Sequence, residues 1–167
     1  KRQEFVETSV PFYGMLNNKV GLINLKIFNQ NAGKDVKDAF EKLKKENPEM
    51  KGIILDLRGN PGGLLTEAVN IVNVFIEKNL LVVNTKGKIA EWNSTFKTMN
   101  DPSDTKMPII VLTNSKSASA SEIVSGALQD YDRGVVIGQK TYGKGLVQVT
   151  KNLSYGTGFK VTVAKYY

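Results

Sequence analysis

Three short stretches are almost wholly apolar: Gly52 to Leu57 (GIILDL), Pro108 to Thr113 (PIIVLT) and Gly134 to Gly138 (GVVIG). A strand with one wet face alternates apolar and polar residues. These runs do not, so the first reads as a strand covered on both faces, the second as another buried strand and the third as the next strand. The first two lead through glycine- or serine-rich loops into amphipathic helices. Leu64 to Glu77 places Leu65, Ala68, Val69, Val72 and Ile76 on one side, and Ala120 to Tyr131 turns Ile123, Val124, Ala127 and Leu128 inward. A further unit precedes them: a strand over Val20 to Ile27, then a helix near Lys34 to Lys45 with Val36, Ala39, Phe40 and Leu43 at i, i+3, i+4, i+7 spacing. Repeated strand-helix-strand units predict an α/β fold with a mostly parallel sheet, right-handed crossovers and helices on its faces. The last third departs from this rhythm. There Leu146 to Thr150 and Gly158 to Ala164, joined through Ser154 to Thr157, predict a closing β-hairpin.

The 167 residues fit one domain, with 41% hydrophobic and 23% charged residues, the balance of a globular chain. Leu81 to Asn84 reads as another strand. The polar stretch Lys86 to Thr105, with Trp92 and Phe96, reads as a loop or short strands over the site. Lys1 to Leu16 shows no clear period and reads as a linker, with the domain proper at 17–167. The chain stops directly after a strand, which reads as a fold cut short at its C-terminal end. No apolar run reaches the 18 residues of a membrane span, and no signal peptide opens the chain.

Two zeros narrow the chemistry. With no His and no Cys, a Ser-His-Asp triad, a cysteine nucleophile and His- or Cys-based zinc sites are excluded. The 23 Lys and Arg against 16 Asp and Glu give a net charge of +7, but aromatics do not interleave with the basic residues and no nucleic-acid motif is present.

Sites in α/β sheets form where strand ends feed helix N-termini. Three loops qualify: Asp56 to Gly63 (DLRGNPGG), Ser115 to Glu122 (SKSASASE) and Thr141 to Gly145 (TYGKG). Each has a purely structural reading. Asn-Pro-Gly-Gly is a common turn, Ser119 with Glu122 fits a helix capping box, and Gly-Lys-Gly is a common solvated turn. None has the Walker spacing of a phosphate loop. Asp56 with Arg58 reads as a structural ion pair, and Asp130 and Asp132 as a solvated helix end. Taken together the loops allow a serine activated by a lysine. Such a lysine must act as a neutral amine, its pKa lowered from about 10.4 to roughly 7 or 8.

GIILDLRGNPGGLL followed by SASASEIVSGALQDYDRGVVIGQKTYGKGLVQ resembles the C-terminal processing peptidases, or tail-specific proteases, from about Val20 onward. The resemblance implies a ClpP/crotonase-like core and an ATP-independent serine endopeptidase without metal or other cofactor. It implies Ser119 as nucleophile, Lys144 as base, Gln148 as the residue orienting the lysine, and an oxyanion hole at the amide of Ala120 with one from Gly62 or Gly63. Ser117 and Ser121 are rival nucleophiles from composition alone. An extended Lys144 to Gln148 would span about 13 Å, so the lysine-orienting role predicts a helical turn or sharp bend there.

The resemblance further implies protein or peptide tails as substrates, no nucleic-acid partner, a location in the bacterial envelope, commonly the periplasm, and a PDZ-like module before the core. Residues 1–16 would be the linker or remnant of that module, with Lys1 to about Thr8 the remnant itself. Two other readings stay open: a crotonase-like acyl-CoA enzyme, which would use a carboxylate base, and a catalytically silent peptide-binding fragment.

Overall fold

The computed structural model describes residues 8–167, so the expected remnant at Lys1 to about Thr8 lies, but for Thr8, outside the described residues. In chain order the elements are β1 (Phe12–Asn17), β2 (Val20–Asn24), α1 (Ala32–Glu46), β3 (Gly52–Asp56), α2 (Leu65–Phe75), β4 (Leu81–Gly87), β5 (Ser94–Lys97), β6 (Ile109–Thr113), α3 (Ala120–Asp130), β7 (Gly134–Gly138), β8 (Leu146–Asn152) and β9 (Gly158–Tyr166).

A five-stranded sheet has the order β1-β2-β3-β6-β7, parallel from β2 to β7. From β2 onward the chain always steps to the next strand in the same direction. Right-handed crossovers then put every helix on the same side, and α1 packs on α2 and α2 on α3 as one layer. Ile23, Ile53, Leu55 and Val111 of the sheet meet Val36, Phe40, Val72, Phe75, Val124 and Leu128 of the helices in one core. Phe40 and Phe75 meet edge to face at 5.3 Å, a favoured aromatic geometry. The other side of the sheet is half-buried at Ile54, Ile110 and Leu112.

Two elements differ from the sequence reading. The aperiodic N-terminal stretch contains β1, which pairs antiparallel with β2 across a turn closed by Asn17 Oδ1, an acceptor for the N–H groups of Lys19 and Val20. This edge strand is largely exposed on both faces, so no burial pattern shaped its sequence. A second, antiparallel sheet of order β5-β4-β9-β8 also forms. It absorbs the polar stretch after Leu81 and the closing hairpin, β8 with β9. Tyr131 at the end of α3 donates its hydroxyl to Leu81 O at 2.8 Å, tying this sheet to the helix layer.

Asp104 fastens the crossover between α2 and β6. Its Oδ1 accepts from the N–H groups of Lys106 and Met107, both at 2.7 Å, and its Oδ2 accepts from Lys44 of α1 at 2.6 Å. Burial by itself would raise its pKa. The bonds from Lys44, Met107 and Lys106 outweigh that and bring it down to about 2. A carboxylate depressed in the folded state stabilises above its unfolded pKa near 4 and loses that contribution as pH falls through about 2. We predict that Asp104→Asn costs about 2 kcal/mol at pH 7. The wild-type advantage should shrink between about pH 4 and pH 2 in urea unfolding. A mutant deficit that does not change with pH would contradict this.

Candidate active site

The loops after β3 and β6 meet around Asn60, which is fully buried. Its Nδ2 donates to Leu25 O beyond β2, and its Oδ1 accepts the Gly62 N–H, both at 2.8 Å. Its carbonyl accepts from the Ala118 N–H and the Ser121 hydroxyl, each at 3.0 Å. One residue thus joins the end of β2, the glycine turn and the serine loop. Arg58 turns outward and grips Asp56 with Nε and Nη2 at 2.9 and 2.7 Å, the structural pair expected. Burial would raise the Asp56 carboxyl, but the bonds from Arg58 hold it below the usual carboxylate value.

Gly62 has φ +98° and lies so close to the serine loop that an added Cβ would sit 2.7 Å from Ala118 O and from Ser119 Cβ, and 2.9 Å from Ala120 N. Only glycine allows this approach. Ser119 itself has φ 57° and ψ −113°, a strained conformation for a residue with a Cβ. It caps α3 in the capping box expected, its N–H donating to Glu122 Oε2 at 2.7 Å. The strain turns its side chain toward a cleft of about 350 Å³ walled by Val82, Val83, Ile123, Ala127 and Tyr166, with Asp130 also lining it.

The neighbouring serines are committed elsewhere. Ser117 Oγ donates to Leu57 O and accepts from the Asn114 N–H, Ser121 Oγ donates to Asn60 O, and Ser125 Oγ donates to Ser121 O. The Ser119 hydroxyl donates to no group among the described residues. Beside it, the Ala120 N–H has no partner among them. The Gly62 N–H is taken by Asn60. Gly63 bridges Phe28 through the flanking Gly62 O and Leu64 N–H, so its own N–H points away from Phe28 and has no partner among the described residues.

The lysine side differs. Gly143 and Gly145 both have left-handed φ, +78° and +52°, and an added Cβ at either would meet nothing within 4 Å. Lys144 between them is half-buried, and its Nζ has no hydrogen bond or ion pair among the described residues, Ser119 and Gln148 included. Of the helical turn or sharp bend expected between Lys144 and Gln148, the helical turn is absent. The left-handed Gly145 bends the chain, and from Leu146 it runs in the β8–β9 ladder, whose register shifts between Val147 and Gln148. The exposed Gln148 donates instead to Thr162 Oγ1 at 3.4 Å. The structure therefore brings Gly62, with Gly63 next to it in the turn, against Ser119 and Ala120, and among the described residues the side chains of Lys144 and Gln148 make no hydrogen bond to them. Tyr142 is 69% exposed and stands outside the cleft wall.

Sequence reasoning saw Glu122 only as a cap and Asn60 only as a turn residue. In the fold the Glu122 carboxylate also accepts from Thr141 Oγ1, Gly143 N–H and Lys144 N–H at 2.8, 2.5 and 3.0 Å. Partial burial would raise its pKa. The donors at Lys144, Thr141, Ser119 and Gly143 outweigh it and hold the carboxyl below its usual value.

The sequence profile of peptidase family S41 matches residues 19–167. The chain belongs to peptidase family S41. A carboxyl-terminal-processing protease of Synechocystis sp. is 44% identical over 149 residues, 88% of this chain and 33% of that protein. A probable CtpA-like serine protease of Staphylococcus aureus is 43% identical over 169 residues, 99% of this chain and 33% of that protein. This S41 chain thus spans about a third of the length of these curated relatives. Among solved structures, a photosystem II D1 C-terminal processing protease superposes with a TM-score of 0.83 at 31% identity, covering 99% of this chain and 45% of that one.

The S41 chain owes the position of its serine loop to Asn60. Asn60→Ala would leave the buried Gly62 N–H and Leu25 C=O unpaired, and we predict a loss of about 3 kcal/mol in urea unfolding with an unchanged m value. A loss below about 1 kcal/mol would show that the amide is not the tie described.

Proposed function

We propose that this S41 chain carries the active site of a serine endopeptidase that cleaves protein substrates near their C-termini through an acyl-enzyme. The observation that carries the reading is the state of Ser119. It is the strained serine at a strand-to-helix turn, its hydroxyl donating to no group among the described residues, facing a cleft near two backbone amides without a partner among them.

In the proposed reaction the neutral amine of Lys144 takes the Ser119 proton as Oγ attacks the scissile carbonyl. The N–H groups of Ala120 and Gly63 hold the oxyanion, Gly62 being committed to Asn60. The proton passes to the leaving amine, and water then releases the acyl group. Gln148 enters as the residue orienting Lys144, a role that requires residues 144–148 to leave the conformation seen here. A PDZ-like module, with residues 1–16 as its linker, and a site in the bacterial envelope complete the proposal. Among the described residues no helix is long and apolar enough to cross a membrane.

A second reading, a catalytically silent peptide-binding segment, is favoured by the Lys144 amine having no hydrogen bond to Ser119. The two readings separate in the whole protein. Ser119→Ala and Lys144→Ala are each expected to lower kcat for peptide cleavage by at least about 1000-fold, and a serine-directed fluorophosphonate should label the wild type but not Ser119→Ala. Cleavage at more than a tenth of the wild-type rate by either variant rejects the assigned roles. A wild type that neither cleaves nor labels favours the silent segment.

A further inference from the structure

We propose that Glu122 is a positioning residue for this reaction, holding the loop that carries Lys144 against the turn that carries Ser119. The inference rests on the Ser119–Lys144 reading above. A capping box asks one thing of the residue three after the cap, that its side chain accept the cap N–H. Glu122 does that with Oε2 at 2.7 Å. Its other three donors lie 19, 21 and 22 residues further along the chain, beyond α3 and β7: the Thr141 hydroxyl, the Gly143 N–H and the Lys144 N–H. Helix capping accounts for none of these.

The four donors fill the carboxylate evenly, Thr141 and Gly143 on Oε1, Ser119 and Lys144 on Oε2. Oε2 therefore links the N–H of the candidate nucleophile directly to the N–H of the candidate base. The loop has little else to fix it. A Cβ added at Gly143 or Gly145 would meet nothing within 4 Å, so nothing packs on the loop at those two points. Two backbone bonds flank the clamp, Tyr142 N–H to Ser117 O at 2.9 Å and Tyr166 N–H to Gly145 O at 3.0 Å. Three of the hydrogen bonds that hold residues 141–145 end on this one carboxylate.

The requirement is specific to a carboxylate of this length. Glutamine offers one acceptor oxygen, and its NH2 group would face two of the donors. Aspartate is one methylene shorter and cannot keep the cap bond and still span to residue 144. The carboxyl also stays ionised at neutral pH, because its donors hold it below its usual value. Glu122 lines the cleft with Ser119, Gly143 and Gly145, so the clamp lies beside the reacting groups.

The test uses the whole protein. For Glu122→Gln, kcat per fluorophosphonate-titrated site is expected to fall roughly 100-fold, as for a misplacement of about 1 Å, with KM within about twofold and cooperative melting retained. Hydrogen exchange by mass spectrometry should show residues 141–145 exchanging at least about tenfold faster, while α1 and α2 are unchanged. Thr141→Val removes one donor and should give a smaller change in the same direction in both readouts. It carries the test if Glu122→Gln does not fold.

A folded Glu122→Gln with kcat within about twofold of wild type, or with unchanged exchange at 141–145, overturns the proposal. So does a Thr141→Val that matches wild type in both readouts. A wild type that neither labels nor cleaves defeats the peptidase reading instead, and the exchange measurement still decides the clamp.

Discussion

Asn60 ties three strand ends together, and the position of Ser119 follows from that tie. A buried amide is costly unless its hydrogen bonds are satisfied, and a fully satisfied one stiffens what it touches. Here the side chain holds Leu25 O and the Gly62 N–H while the backbone carbonyl holds Ala118 and Ser121. Gly62 is thereby pressed against Ser119 and Ala120 at a distance no other residue tolerates. The positive φ of Ser119 is maintained by this surrounding network, which over-determines the turn. The same commitment spends the Gly62 amide, while those of Gly63 and Ala120 have no partner among the described residues.

The two halves of the candidate site are built differently. The serine half is buried, packed and cross-bonded at nearly every polar atom. The lysine half is a glycine-flanked loop, held chiefly by hydrogen bonds to Glu122. Low packing and few restraints make such a segment the easier one to move. The absence of a Ser119–Lys144 hydrogen bond among the described residues fits that division. Gln148, fixed in the β8–β9 ladder, belongs with the part that has to move for the lysine-orienting role to operate.

The parallel strands and the helices were legible because their patterns are local. The apolar runs at Gly52 and Pro108 and the i, i+3, i+4 faces of α1, α2 and α3 appear where periodicity puts them. Strand order was not legible, so neither was the placing of all three helices on one side, a consequence of the chain always stepping the same way. β1 escaped notice because Phe12–Asn17 is mostly exposed and carries no two-residue alternation of burial, while the joining of β4, β5 and the closing hairpin into a second sheet rests on long-range pairing that no local pattern shows. At the site, Ser117, Ser119 and Ser121 are equivalent by composition. What separates them is that two of the hydroxyls are spent on Leu57 and Asn60, residues 60 and 61 positions away. The wider part played by Glu122 was hidden for the same reason, its remaining donors being set by the fold and not by local spacing.

The most direct test is a structure of the whole protein with a peptidyl phosphonate bound. The account predicts phosphorus bonded to Ser119 Oγ, the phosphoryl oxygen about 3 Å from the backbone nitrogens of both Ala120 and Gly63, and the Lys144 amine turned in toward Oγ. Attachment at another serine, or a phosphoryl oxygen directed into solvent away from those two amides, would contradict it.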